Sequence, residues 1–236
     1  MARPITGSEA FVEALRLEGV DYICGIVGSA FMDPLDLFPV AGIRFIQVRH
    51  EQSAALMAEG YARATGKPGV CIGQNGPGIT NLVTGVASAA LNHTPLVVIT
   101  PAVLSGAIGS KAFQEVDQMR LLAPLVKWQL QVNRPERMAE AIRGAFRAAI
   151  AMRGPVQIDI PRDAWYGQWE EEERLPETYR TDGRYGGAPD GEIAKAAKLL
   201  AGAKRPFIIA GLGAVDSDAG ADIANLAEAL GAPMAC

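Results

Sequence analysis

At 236 residues, 49% of them hydrophobic and 20% charged, the chain is long enough for one large domain or two small ones and too apolar to be disordered. With 22 basic against 26 acidic side chains, the net charge of −4 offers no field for nucleic acid or an anionic membrane surface. Three scattered cysteines (Cys24, Cys71 and Cys236) exclude a disulfide framework, and no apolar run reaches the ~18–20 residues of a membrane span.

Residues 1–9 lack the basic-then-apolar order of a signal peptide, so a cytoplasmic protein is the default expectation. Only two histidines, His50 and His93, are present, which leaves little material for a metal site; none is expected in this chain.

Strand-length apolar runs alternate with helix-patterned stretches. Residues 8–18 predict a helix with an apolar stripe of Phe11, Ala14, Leu15 and Leu17. Residues 22–27 read as a strand, 34–38 as a short helix, 43–48 as a strand, and 51–65 as a helix stopped by Gly66 and Pro68. A strand at 70–73 runs into the turn Asn75-Gly76-Pro77-Gly78, followed by a small-residue helix at 80–91 and a strand at 96–100. A helix near 116–122, a strand near 126–132, a helix over 135–152 and a strand over 156–160 complete the set. This alternation predicts an α/β fold, an open parallel sheet with helices on both faces. Such sheets take ligands at the carboxyl ends of their strands, which singles out Val27-Gly28, His50-Glu51, Asn75 to Gly78 and Thr100-Pro101.

Residues 1–163 therefore read as one domain. Residues 164–189, with four glycines, two prolines and an acidic run at 170–173, read as a linker. Trp165 and Trp169 beside that run are placed to cover a surface against another domain. Residues 190–236 read as the incomplete start of a second α/β unit, with helices at 191–201 and 220–230 around a strand at 206–210. One strand and two helices cannot bury both faces of a sheet, so this piece is not expected to be stable alone and the chain reads as cut short.

Glu51 has two readings. It is either a carboxylate complementing a helix dipole or one that faces a ligand in the crevice. The stretch Gln74-Asn75-Gly76-Pro77-Gly78-Ile79-Thr80-Asn81 follows a strand and opens a helix, where glycines permit close approach and free N–H groups face outward. It matches neither the P-loop nor the dinucleotide spacing, and a ligand-free turn is the alternative. Gly211-Leu212-Gly213 reads as a tight turn, His93 as a packing or capping residue, and Cys24 and Cys71 as core thiols.

Taken in order, these weak signals become specific. Arg49-His50-Glu51-Gln52, Ala58-Glu59-Gly60-Tyr61-Ala62-Arg63, Gly76-Pro77-Gly78 with Asn81, Phe113-Gln114-Glu115, Gly154-Pro155 and Ile160-Pro161-Arg162-Asp163 resemble the pyrimidine-binding domain of thiamine-diphosphate enzymes, in the acetohydroxyacid synthase and pyruvate oxidase group. The resemblance spans residues 8–163, and 190–236 resembles the beginning of that family's middle domain. Gly25 to Ala30, Met32-Asp33, Lys127-Trp128-Gln129, Val132-Asn133-Arg134-Pro135 and Tyr166-Gly167 narrow it toward the sulfoacetaldehyde acetyltransferase group, which turns sulfoacetaldehyde and phosphate into acetyl phosphate and sulfite.

The resemblance implies that Glu51 hydrogen-bonds the cofactor's aminopyrimidine and favours its imino tautomer. It likewise implies that Asn75, Pro77, Gly78 and Asn81 shape the pyrimidine pocket, that Gln114 points into it, and that Val27 and Gly28 line it. The magnesium-held diphosphate is expected outside this chain, because no Gly-Asp-Gly motif occurs in it. The chain then supplies half an active site, to be completed by a second subunit of a homo-oligomer or by a separate polypeptide. Small-molecule substrates are expected, with no nucleic-acid or membrane partner. An acetohydroxyacid synthase-like 2-oxoacid enzyme and a non-catalytic interaction domain are the alternatives.

Overall fold

The computed structural model of the protein describes residues 3–171, 179 and 187–236, and the chain divides into two units, Met1–Gly183 and Arg184–Cys236. In the first unit the strands are β1 (Arg3–Thr6), β2 (Tyr22–Gly25), β3 (Arg44–Gln47), β4 (Gly69–Ile72), β5 (Leu96–Ala102), β6 (Trp128–Gln131), β7 (Pro155–Pro161) and β8 (Gln168–Glu171). Its helices are α1 (Gly7–Leu17), α2 (Met32–Leu37), α3 (Glu51–Thr65), α4 (Pro77–Leu91), α5 (Gln118–Leu122) and α6 (Met138–Met152).

Six strands form one all-parallel sheet in the order β3-β2-β4-β5-β7-β6. The fold class is therefore the α/β one that the alternation predicts. β4, β5 and β7 are buried along their whole length, as parallel strands covered on both faces must be. Side chains alternate between two cores. Val97 and Ile99 of β5 pack with Phe11, Leu15, Ile142 and Phe146 of α1 and α6, whereas Leu96 and Val98 pack with Ala54, Ala58, Leu82 and Val86 of α3 and α4.

Three local outcomes differ from the sequence pattern. First, α4 begins at Pro77 rather than three residues later, because proline is preorganised for the first helical turn and needs no N–H there. Second, β1 and β8 pair as an antiparallel ribbon that hydrophobic periodicity does not reveal, since both are four residues long and β8 is polar and acidic. Third, Trp165 is a core residue of the first unit. Its ring meets Phe11 edge-on with centroids 5.1 Å apart, and its Nε1–H donates to the Ala30 carbonyl at 2.9 Å. Residues 164–171 of the expected linker thus fold with this unit, while 172–178 and 180–186 lie outside the described residues.

The second unit holds α7 (Asp190–Ala201), β9 (Ile208–Ile209), α8 (Leu212–Asp216), α9 (Gly220–Leu230) and β10 (Met234–Ala235), with β9 and β10 parallel. Gly211 precedes the short helix α8 as its N-cap instead of forming a plain turn. Among its described residues only Ala227 is buried, and Leu199, Phe207, Ile209 and Val215 are exposed. Among the described residues of the whole chain, no helix is long and apolar enough to cross a membrane.

Candidate active site

Val27-Gly28, Glu51 and Asn75 to Gly78 lie just after strands of the parallel sheet, Asn81 lies within α4, and Gln114 lies in the long connection after β5. β3 is followed by His50, whose extended backbone and Nδ1, accepting from the Gln52 N–H at 3.2 Å, cap α3. Glu51 is thereby fixed as the first residue of α3, and its side chain is 7% exposed. β4 leads through Gly73 and Gln74 to Gly76, which caps α4 at φ 69°. Glu51 and Pro77 therefore share the carboxyl edge of the sheet.

α3 and α4 bring the Glu51 group together. Asn81 Nδ2 donates to Glu51 Oε2 at 3.0 Å, while Oε1 accepts from none of the described residues. Gly78 is the wall beside it, since a Cβ there would lie 3.1 Å from Oε1. The helices approach this closely because Gly85 has no side chain; a Cβ would stand 2.4 Å from the Ala55 Cβ. At the far end of α4, Asn92 Nδ2 donates to the buried Glu59 at 2.8 Å, so two asparagine–glutamate pairs tie the helices together.

A second group surrounds Gln74. Its Nε2 lies 2.6 Å from Asn75 Oδ1 and 3.0 Å from Gln114 Oε1, and its Oε1 accepts from the Ala30 N–H at 3.1 Å. Asn75 Nδ2 donates to the Gln114 carbonyl at 3.2 Å. Gln114 itself holds φ 60°, an unfavourable backbone state for a residue with a side chain. A Cβ at Gly28 would overlap Gln74 Oε1 at 2.1 Å, which places Gly28 against this group. Val27 is 46% exposed on the same edge, and Pro77 is exposed at the start of α4. His93 stands in an exposed turn after α4 at φ 52°, not in a packed position.

Behind these residues lies a buried polar network. Asp159, 1% exposed on β7, accepts from Thr100 Oγ1 at 2.8 Å, Gln118 Nε2 at 2.5 Å and Gln131 Nε2 at 2.8 Å. Burial pushes its carboxyl above the ordinary range; the hydrogen bonds from Gln131, Gln118 and Thr100 act the other way without offsetting it. Gln118 then offers Oε1 to the Gly76 N–H at 3.3 Å, linking Asp159 to the turn that starts α4. The sequence signal for this network is polar residues inside two mostly apolar strands, Thr100 on β5 and Gln157 and Asp159 on β7.

Two cavities open on this edge. One of about 460 Å³ is lined by Asn75, Lys111, Gln114, Gln118 and Asp159, and one of about 270 Å³ by Ser29, Gln74, Asn75, Phe113, Gln114 and Arg162. Glu51 borders neither; it lies across the turn from Gly73 to Gly78.

Residues 5–121 match the family model described as thiamine pyrophosphate enzyme, N-terminal TPP binding domain, and residues 193–236 match thiamine pyrophosphate enzyme, central domain. With the parallel sheet and the buried glutamate at its carboxyl edge, the chain belongs to the thiamine pyrophosphate (thiamine diphosphate) enzymes. It is 48% identical over 231 residues to a sulfoacetaldehyde acetyltransferase of Alcaligenes xylosoxydans xylosoxydans, covering 98% of this chain and 38% of that protein. The sulfoacetaldehyde acetyltransferase of Castellaniella defragrans is equally similar, at 48% over 230 residues and with the same coverage. A probable acetolactate synthase large subunit of Methanocaldococcus jannaschii is 40% identical over 233 residues, covering 97% and 39% of the two chains. The chain thus spans about two fifths of the length of these curated relatives.

Proposed function

We propose that this chain is the pyrimidine-binding portion of a sulfoacetaldehyde acetyltransferase, an enzyme forming acetyl phosphate and sulfite from sulfoacetaldehyde and phosphate in the breakdown of taurine-type sulfonates. The observation that carries the reading is the Glu51 carboxylate, nearly buried, with one oxygen held by Asn81 and the other unclaimed beside Gly78. A carboxyl oxygen of that kind can share a proton with a ring nitrogen of an aminopyrimidine, so the residues present fit the cofactor's pyrimidine end.

When bound, thiamine diphosphate supplies the nucleophilic carbon and the electron sink of the reaction. Glu51 holds the proton on the aminopyrimidine ring nitrogen, and Asn81 keeps its carboxylate aimed there. Gly78 lets the ring approach without a Cβ in the way. Asn75, Gln114, Val27 and Gly28 line the approach on the other side of the turn. Magnesium and the diphosphate are assigned to the half of the site outside these residues, supplied by a second subunit or another polypeptide.

The test is release of sulfite and formation of acetyl phosphate from sulfoacetaldehyde and phosphate by the enzyme assembled from this chain and the diphosphate-binding half. Consumption of pyruvate without sulfite release moves the assignment to a 2-oxoacid enzyme, the reading favoured by the acetolactate synthase relatives.

A further inference from the structure

Ile160-Pro161-Arg162-Asp163, which ends β7, plays no part in the chemistry assigned to Glu51. Asp163 does not line the 270 Å³ cavity but fastens two loops. It accepts the Ser105 N–H at 2.7 Å and the Ser105 hydroxyl. Burial works against its ionised form, yet the Ser105 hydrogen bonds outweigh it and hold the carboxyl below the ordinary range. The loop after β5 is thereby tied to the turn after β7. Arg162 is fixed within this clasp: its N–H reaches the Val103 carbonyl at 3.4 Å, and its Nε donates to the Tyr166 hydroxyl at 3.0 Å.

The terminal nitrogens of Arg162 have no carboxylate partner among the described residues. Arg162 lines the 270 Å³ cavity and, among the described residues, is the only cationic one to do so; Ser29, Gln74, Asn75 and Gln114 are the other polar residues there, and the rest of the lining is apolar. Gln74 stands between this cavity and the glutamate: its Cβ lies 3.3 Å from the position of a Cβ on Gly78, and Glu51 Oε1 lies 3.1 Å from the same point. A guanidinium with free donors at the polar side of a mostly apolar cavity suits a compact oxyanion with several equivalent oxygens carried on a short apolar chain.

We infer that Arg162 binds the sulfonate of a two-carbon sulfonate substrate, holding its anionic end in this cavity. The inference rests on the sulfoacetaldehyde reading above. Phosphate, the second substrate, has the same oxyanion chemistry, and the experiment separates the two.

Binding of isethionate, an unreactive two-carbon sulfonate, is measured by calorimetry on the assembled enzyme and on its Arg162→Gln, Arg162→Lys and Lys111→Gln variants. The Michaelis constants for sulfoacetaldehyde and phosphate are measured on the same proteins. Because a hydrogen bond to a charged group is worth about 1.5–3 kcal/mol, Arg162→Gln should weaken isethionate binding by roughly 10- to 100-fold and raise the constant for sulfoacetaldehyde alike. Arg162→Lys should recover part of the loss, and Lys111→Gln, in the neighbouring cavity, little of it. Unchanged isethionate binding in Arg162→Gln, no isethionate binding by the parent enzyme, or a loss confined to phosphate or to Lys111→Gln each overturns the inference. Isethionate binding lost with Arg162 in an enzyme that releases no sulfite upholds the sulfonate site and overturns the activity instead. Arg162 is exposed, so the variants should keep the parent melting temperature.

Discussion

At Glu51, the helix-end reading and the ligand reading make different demands on the same side chain. The first requires only a negative charge near the start of α3. The structure gives more than that, because the carboxylate is turned inward, held by Asn81 and walled by Gly78. Glu51→Gln keeps an oxygen that accepts from Asn81 but loses the capacity to hold a proton shared with a ring nitrogen. Turnover in the assembled enzyme should fall by about 10²–10⁴-fold, the usual worth of positioned proton transfer. Stability should change by no more than about 1 kcal/mol, the scale of a helix-end charge. Sulfite release measured beside a melting curve checks both; normal release with a lowered melting temperature leaves Glu51 as a helix-end charge only.

Between elements, the closeness of α3 and α4 decides where Asn81 stands relative to Glu51. Gly85→Ala forces a methyl to 2.4 Å from the Ala55 Cβ, and 3.1 Å from the Gln52 carbonyl oxygen and the Leu56 nitrogen. With backbone on two sides the helices must part, at a cost of about 1–3 kcal/mol. Because Asn81 is one turn before Gly85 on α4, the variant should lose turnover as well as stability. Chemical denaturation and sulfite release, compared with Gly60→Ala at an open site on α3, provide the check. The small residues of α4 were legible in the sequence; of these Gly85 and Ala89 are buried within this unit, whereas Ala87, Ser88 and Ala90 are half-buried. Strands β4, β5 and β7 were legible because burial on both faces leaves mostly apolar runs, interrupted only by Thr100, Gln157 and Asp159. The Asp159 network was not, since its hydrogen bonds join residues 28 to 59 positions apart. That network should also be visible in pH dependence. A folded carboxyl held above its ordinary value near 3.8 costs stability when ionised, and the cost is relieved as pH falls through the folded value toward 3.8. Asp159→Asn should therefore gain on the parent at neutral pH and lose that advantage on acidification, as read from denaturation midpoints at pH 7 and at successively lower pH.

Over the whole chain, one unit is finished by the described residues and the other is not. The first has two cores on either side of its sheet, whereas the second buries only Ala227 among its described residues. On the proposed reading Glu51 and its neighbours meet the pyrimidine and the diphosphate end lies elsewhere; among the described residues there is no cluster of three or more His, Cys, Asp or Glu suited to a metal ion. Calorimetry of this chain with thiamine diphosphate and magnesium should accordingly show no tight binding, and a dissociation constant of about 1 μM or better would contradict the half-site reading. Trp165 was misread as interdomain cover because its partners, Phe11 and Ala30, lie far along the chain.

Cys24 and Cys71 stand opposite one another in register on β2 and β4, the two strands that lead into the Gly28 and Gly76 turns. Burial raises both thiols above their ordinary range, and the proximity of Cys24 raises Cys71 further, so neither offers thiolate to a reagent while the sheet is closed. Cys236 is exposed. The protein thus carries its own stopwatch: iodoacetamide should consume one thiol promptly and two slowly, at a pace set by how often the seam between β2 and β4 opens. In the assembled enzyme, thiamine diphosphate should lengthen the slow interval and leave the prompt one untouched, giving a readout of pocket closure that needs no turnover at all.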